Sequence, residues 1–349
     1  MRVAIVGGGV MGCATALALE ARGADVVLLE RSVPGAEASS AAAGILGAQV
    51  ESRKGNPLLE TFARARAEYA QWSTELRDRT GLDIGHRVSG MLRVAFTEDE
   101  AKEVASTVAW QSAAGLRAES LSDADARAIE PALAPILRAA YFPDEAQVDP
   151  KALLRALVAA IARSRVVVRS GVVVERLAES GGRCRGVVLE GETLEADATV
   201  LAAGSWSSLV PGVPAAVPRV VPVRGQIVQL DERPPRVRTM VKSAAGYVVP
   251  RGDGRVVCGS TMEHAGYASA VTAGGVRAIL DAALHAVPSL ATAELTATWS
   301  SFRPYAGDDT AWLVGASPLP GLFLATGHHR NGILLAKATA DRVTAAILG

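Results

Sequence analysis

The chain has 349 residues, 49% of them hydrophobic, and its 36 Lys and Arg balance 36 Asp and Glu. That length supplies two domains of ordinary size with a substantial core. The composition excludes a disordered or fibrous chain, and the even charge leaves no electrostatic footprint for nucleic acid or an anionic membrane.

The opening is the clearest element. Arg2 to Val6 reads as a short buried strand, Gly7 to Gly12 as a turn, and Val10 to Arg22 as a helix stopped by Gly23. Met1 to Leu19 imitates a signal peptide in its apolar run, but Gly7-Gly8-Gly9 interrupts that run, so a cytoplasmic location is expected. No window of about 18 uninterrupted apolar residues predicts a membrane span. Asp25 to Glu30 is a second strand, Ala36 to Gly47 a small-residue segment, and Pro57 to Arg79 a helix broken by Gly81. Gly90 to Phe96 reads as a strand followed by a charged helix and Pro-punctuated segments up to about Phe142.

Lys151 to Arg163 is amphipathic and helical, and leads into the strand Val166-Val167-Val168. A meander through Val172 to Val188 precedes the apolar strand Ala198 to Ala202. The proline-rich stretch Pro211 to Pro222 reads as a crossover between domains. Arg224 to Gly259 alternates as antiparallel strands with hairpin signals at Ala245-Gly246 and Asp253-Gly254. Val276 to Val287 is a helix, Leu322 to Ala325 a buried strand, and Asn331 to Leu348 a closing helix. The order predicts an α/β nucleotide-binding domain from residues 1–86, 143–217 and 304–349, interleaved with an antiparallel-sheet domain from 87–142 and 218–303.

Gly7-x-Gly9-x-x-Gly12 follows a predicted strand and opens a predicted helix, the context in which such glycines mark a dinucleotide site. The first permits the tight turn, the second lets a pyrophosphate approach the backbone, and the third lets helix and strand pack closely. Helix amides then face the phosphate charge, and Glu30 stands at the strand end where an acid accepts from ribose hydroxyls. These features give a dinucleotide without choosing FAD over NAD.

Five further stretches resolve the choice: Ser39-Ser40-Ala41-Ala42-Ala43-Gly44-Ile45-Leu46-Gly47; Val223-Arg224-Gly225-Gln226; Tyr247 to Arg251 with Gly259 to Glu263; Phe302-Arg303-Pro304; and Thr326-Gly327-His328-His329-Arg330-Asn331-Gly332-Ile333-Leu334-Leu335-Ala336. With the glycine fingerprint, they make the chain resemble the D-amino-acid oxidase family of FAD-dependent oxidoreductases over nearly its whole length. The likeness is greatest to the bacterial glycine-oxidase branch that serves thiamine biosynthesis.

The resemblance implies a Rossmann-like FAD domain with non-covalent FAD, and a flavin roofed by the substrate sheet. The implied reaction oxidises glycine or another small amino acid or secondary amine to the imine, with O2 reduced to H2O2. A larger or N-alkylated substrate, or a dehydrogenase acceptor, remains the alternative. A small amino-acid or amine substrate and O2 are the expected partners, with a homo-oligomer possible and no nucleic acid, membrane or metal. The resemblance assigns Val10, Met11, Glu30 and Arg31 to the ADP half, and Ser39, Ser40, Ala43, Gly44 and Ile45 to pyrophosphate, ribityl and flavin. It places Val174 beside adenine, adds Gly204 and Trp206 to the cofactor set, wraps Gly327, His328, His329, Arg330, Asn331, Gly332, Ile333 and Leu334 around the isoalloxazine, and has Arg303 and Arg330 reach the substrate as catalytic residues beside Tyr247 and Met262.

The chain departs from the family pattern at His329, usually Tyr or Phe, at Ser300-Ser301-Phe302, usually Ala-Gly-Leu, and at Thr310-Ala311-Trp312, usually Gly-x-Pro. Arg303 matches a planar carboxylate with a bidentate fork, and Pro304 biases it to extended geometry. Tyr247 is either a second carboxylate donor or a half-buried sheet tyrosine. Met262 is either an adaptable pocket wall or core packing. Arg330, at the predicted start of the closing helix, implies an anionic partner or a salt bridge to a neighbouring acid. Amides at that helix start would stabilise negative charge at the flavin N1–C2=O edge. Cys13, Cys184 and Cys258 lie away from the predicted flavin end, so no cysteinyl link is expected.

Overall fold

The computed structural model describes residues 1–307 and 312–349. Arg2–Val6 lies inside a six-stranded sheet, flanked by Asp25–Glu30 and Ala198–Leu201, with Val167–Ser170 and Leu322–Thr326 beyond them, all parallel. Leu313–Ala316 adds an antiparallel edge. The first strand is apolar throughout because both of its faces are covered. Val3 and Ile5 pack into a core with the helices Val10–Ala21, Pro150–Ala162 and Ala336–Leu348. Ala4 and Val6, on the alternate face, meet Leu177, Cys184, Val187 and Leu194 of a small three-stranded antiparallel sheet.

The second sheet has eight strands drawn from residues 91–142 and 221–305. Its longest pairing joins Val221–Asp231 to Glu294–Tyr305. Both predicted hairpin turns fall between paired strands: Met240–Lys242 with Tyr247–Pro250, and Tyr247–Pro250 with Arg255–Gly259. The sheet departs from a wholly antiparallel expectation at one seam. Met240–Lys242 pairs with Met91–Ala95 in parallel, Val241 opposite Leu92. That seam joins two segments far apart in sequence, so no hairpin imposes an antiparallel direction. The charged helix Glu98–Ala113 covers this region and opens with a capping box between Thr97 and Glu100.

The closing helix is a correction to the sequence reading. It spans Ala336–Leu348, not Asn331–Leu348. Residues 331–335 form a turn, closed by a hydrogen bond of 2.9 Å from Leu335 N–H to Asn331 C=O. Gly332 propagates a helix poorly, and the buried phenol of Tyr69 holds the Ile333 carbonyl from outside. No helix among the described residues is long and apolar enough to cross a membrane.

Candidate active site

A cavity of about 390 Å³ runs from the first βα turn to the second sheet. At one end Gly7, Gly9, Val10, Met11, Glu30 and Arg31 line it. The Glu30 carboxylate is fixed by the Gly8 amide at 2.7 Å and the Ser32 amide at 2.9 Å. The Val10 amide donates to Ser39 Oγ at 3.0 Å. Gly12 lies off the cavity, where an added methyl would overlap the Gly7 carbonyl, so its role is to let helix meet strand. Ala43, Gly44, Ile45, Val174, Gly204 and Trp206 line the cavity's length. Arg31 stacks over Trp206, 3.9 Å from the ring centroid.

At the far end His328, His329, Arg330, Asn331, Gly332 and Ile333 face Tyr247 and Arg303 across the space. His329 has the single positive φ of a non-glycine among the described residues, 45°. Such a left-handed backbone costs on the order of 1 kcal/mol or more and marks a constrained, commonly functional position. Its amide donates to the Pro304 carbonyl at 2.9 Å, which fastens the last motif to the strand carrying Arg303.

Arg303 donates to Ser260 Oγ at 2.6 Å and to the Thr261 carbonyl at 3.2 Å, and has no carboxylate partner among the described residues. Burial lowers its pKa, Tyr247 opposes that, and the like charge of Arg330 adds to it. Tyr247 is pushed up by burial, with Arg303 pulling the other way. Arg330 has a neighbouring acid, as its second reading held: it pairs with Glu51 Oε1 at 2.8 Å while still lining the cavity.

Besides Gly12, four assigned residues stand off the cavity. Met262 is 54% exposed and off the cavity, which corrects its reading as a pocket wall. Thr261 Oγ1 and the Glu263 carboxylate both turn towards Gln226, so strand alternation points Met262 the other way. Ser40 lies off the main cavity and donates to the Glu37 carbonyl. Leu334 is buried in the core of the nucleotide domain. Gly327 supplies a positive φ just before the motif without lining the cavity. Of the departures noted in sequence, Thr310 and Ala311 lie outside the described residues.

Several cavity residues carry no signal in the sequence. Glu51 lines the cavity between Arg330 and Lys242, which is 3.5 Å away. Burial would raise the Glu51 pKa, but the two cations outweigh it and hold the carboxyl below the usual range. The segment carrying Glu51 is pinned by buried Glu145, which accepts from the Ala48, Gln49 and Val50 amides at 3.1, 2.6 and 3.0 Å, with Arg66 at 3.5 Å. Glu145 is pushed up from 4.5 to about 6, burial outweighing Arg66 and the amides. A raised folded-state pKa contributes stability that is fully present below pH 4.5 and is lost as pH rises through about 6. The difference in Tm, wild type minus Glu145→Gln, is therefore expected to shrink across that window. A difference that grows there would mean the carboxylate is held ionised.

Gly225 belongs to one of the motif stretches, which gives it no role of its own. It pairs with Ser301, and a methyl built on it would overlap the Arg303 guanidinium, the movable end of a flexible side chain. Gly225→Ala is expected to fold and bind cofactor normally but to raise KM about tenfold by displacing that fork. An unchanged KM would place the guanidinium outside substrate reach.

The residues present fit an FAD. The amides of Gly332, Ile333 and Leu334 have no protein acceptor among the described residues. The Ser205 and Ser301 hydroxyls are buried beside the cavity without a partner. Buried polar atoms of this kind call for a polar ligand. The family model described as FAD dependent oxidoreductase matches residues 2–346.

The chain belongs to that family.

This flavoenzyme is 36% identical to the glycine oxidase of Geobacillus kaustophilus over 97% of its own length and 90% of the relative's. Its fold superposes on the crystal structure of glycine oxidase from that organism with TM-score 0.93 and 35% identity, covering 99% of this chain and 94% of the other. It also superposes on the iminodiacetate oxidase of Chelativorans sp. BNC1 with TM-score 0.89 and 26% identity, covering 100% and 95%. FAD is held non-covalently; Cys13, Cys184 and Cys258 are all buried and off the cavity.

Proposed function

We propose that this flavoenzyme oxidises glycine or another small amino acid to the imine, the α-carboxylate held by Arg303 and Tyr247. One observation carries the reading: Arg303 is a half-buried cation on the cavity wall that, among the described residues, donates to a serine hydroxyl and a backbone carbonyl and to no carboxylate. Burying a charge without a counter-ion is costly, and a substrate carboxylate removes that cost while gaining a bidentate pair. The likeness to glycine oxidases supports the small size of the substrate. FAD held by these residues would supply a two-electron acceptor for the Cα hydride, with O2 as the final acceptor and H2O2 the second product.

The protein's own part is placement. Arg303 and Tyr247 fix the carboxylate end, and the cavity walls shield the reacting Cα from water. An amine that arrives unprotonated needs no side-chain base. Gly7, Gly9, Glu30 and Ser39 fit the pyrophosphate and ribose. Residues 328–333 fit the flavin ring, with Arg330 beside it rather than on the substrate carboxylate. Two units with the boundaries predicted from sequence are supported by the segments that build each sheet.

The test is anaerobic bleaching of the yellow protein by a panel of glycine, sarcosine, iminodiacetate and small D-amino acids, followed by H2O2 measurement under air. No bleaching by any carboxylate-bearing amine would refute the reading. A second reading, an N-alkylated substrate such as iminodiacetate, is favoured by the likeness to the iminodiacetate oxidase of Chelativorans sp. BNC1. Preferential bleaching by iminodiacetate would select it.

A further inference from the structure

We propose that Trp312 is a positioning residue whose indole N–H locks His328 in the tautomer protonated at Nδ1, making His328 a fixed hydrogen-bond donor to the bound flavin. The inference rests on reading the cavity as the FAD site. It concerns Trp312, one of the positions at which the chain departs from the family pattern.

Trp312 Nε1 lies 3.1 Å from His328 Nε2 with its hydrogen aimed at that nitrogen, and 3.2 Å from Thr339 Oγ1. The Thr339 hydroxyl itself lies 2.8 Å from the same His328 Nε2. An indole N–H donates and never accepts. A proton on Nε2 would set two donors against each other at 3.1 Å, so Nε2 must be the accepting nitrogen. Thr339 can then donate its hydroxyl proton to Nε2 while its oxygen takes a share of the indole proton.

The ring proton is left on Nδ1, which has no protein partner among the described residues, on a side chain that lines the cavity. Burial also pushes His328 down to about 3, so the ring stays neutral at working pH and has a single N–H to place. The indole is itself held: Arg342 stacks on it at 5.1 Å, and Thr339 sits on the same closing helix. A tautomer fixed before cofactor arrives presents its donor without the cost of reorganising the ring.

The experiment uses ¹⁵N-histidine-labelled protein stripped of flavin, with His328→Gln identifying the His328 signals. The expected result is a protonated Nδ1 and a bare Nε2 in the wild type. In Trp312→Phe the signals move towards a mixture of tautomers, and FAD affinity measured by reconstitution falls about tenfold while Tm is kept. A protonated Nε2 in the wild type overturns the proposal, and this holds even where the variant fails to fold. A folded Trp312→Phe with unmoved His328 shifts overturns it as well. The tautomer is read without substrate, so the result stands apart from whichever amine the enzyme oxidises.

Discussion

Arg303→Ala is expected to lower kcat/KM for a carboxylate-bearing substrate by ~2–5 kcal/mol, the cost of deleting one member of a buried charge pair. Arg303→Lys should recover only part of this, because an ammonium lacks the planar fork. The stability outcome is the less obvious half. Deleting one partner of a buried ion pair strands the other charge and destabilises, but Arg303 pairs with no carboxylate among the described residues. The alanine variant should therefore keep or raise its Tm and retain its flavin. Steady-state kinetics, flavin absorbance and a melting curve decide the matter together. Unchanged kinetics would remove Arg303 from substrate binding, and a large fall in Tm would mean that its bonds to Ser260 and Thr261 are structural.

The second large effect separates two glycines three residues apart. A methyl on Gly12 would overlap the Gly7 carbonyl and crowd Leu28. The obstacle is backbone, so no side chain can yield and the helix must lift from the strand. Gly12→Ala should lose both bound FAD and several degrees of Tm, since 1 kcal/mol corresponds to roughly 2–4 °C in a domain of this size. A methyl on Gly9 meets only Ser39 Oγ, at 3.2 Å, on a surface that lines the cavity. Gly9→Ala should fold with nearly normal Tm and still bind FAD at least tenfold more weakly, on the order of 1.4 kcal/mol. Equal behaviour of the two variants would contradict the division of labour between packing and phosphate approach.

Much of the nucleotide site was legible because its residues are local. The strand, the glycine spacing, the helix and Glu30 lie within the first 30 positions, and each requirement acts on neighbours along the chain. The substrate side was legible only in part. The motif around Arg303 singled out a residue that lines the cavity. Glu51 was not, because it becomes a cavity residue through Glu145, roughly a hundred positions away, which ties down the amides before it. Met262 was misplaced for a related reason. Motif order assigns it to the substrate sheet, but only the pairing of Arg224 with Glu263 decides which way it points.

By itself the sequence determined the parallel sheet, its βαβ opening and the family, since hydrophobic period, glycine placement and motif order are properties of contiguous stretches. Tertiary structure alone decided the parallel seam between the two insertions, the late start of the closing helix, and the ring of charge around Glu51. Each of these is set by contacts between segments that meet only after folding. Their energies depend on burial and on a partner's direction, and neither is written in any one segment.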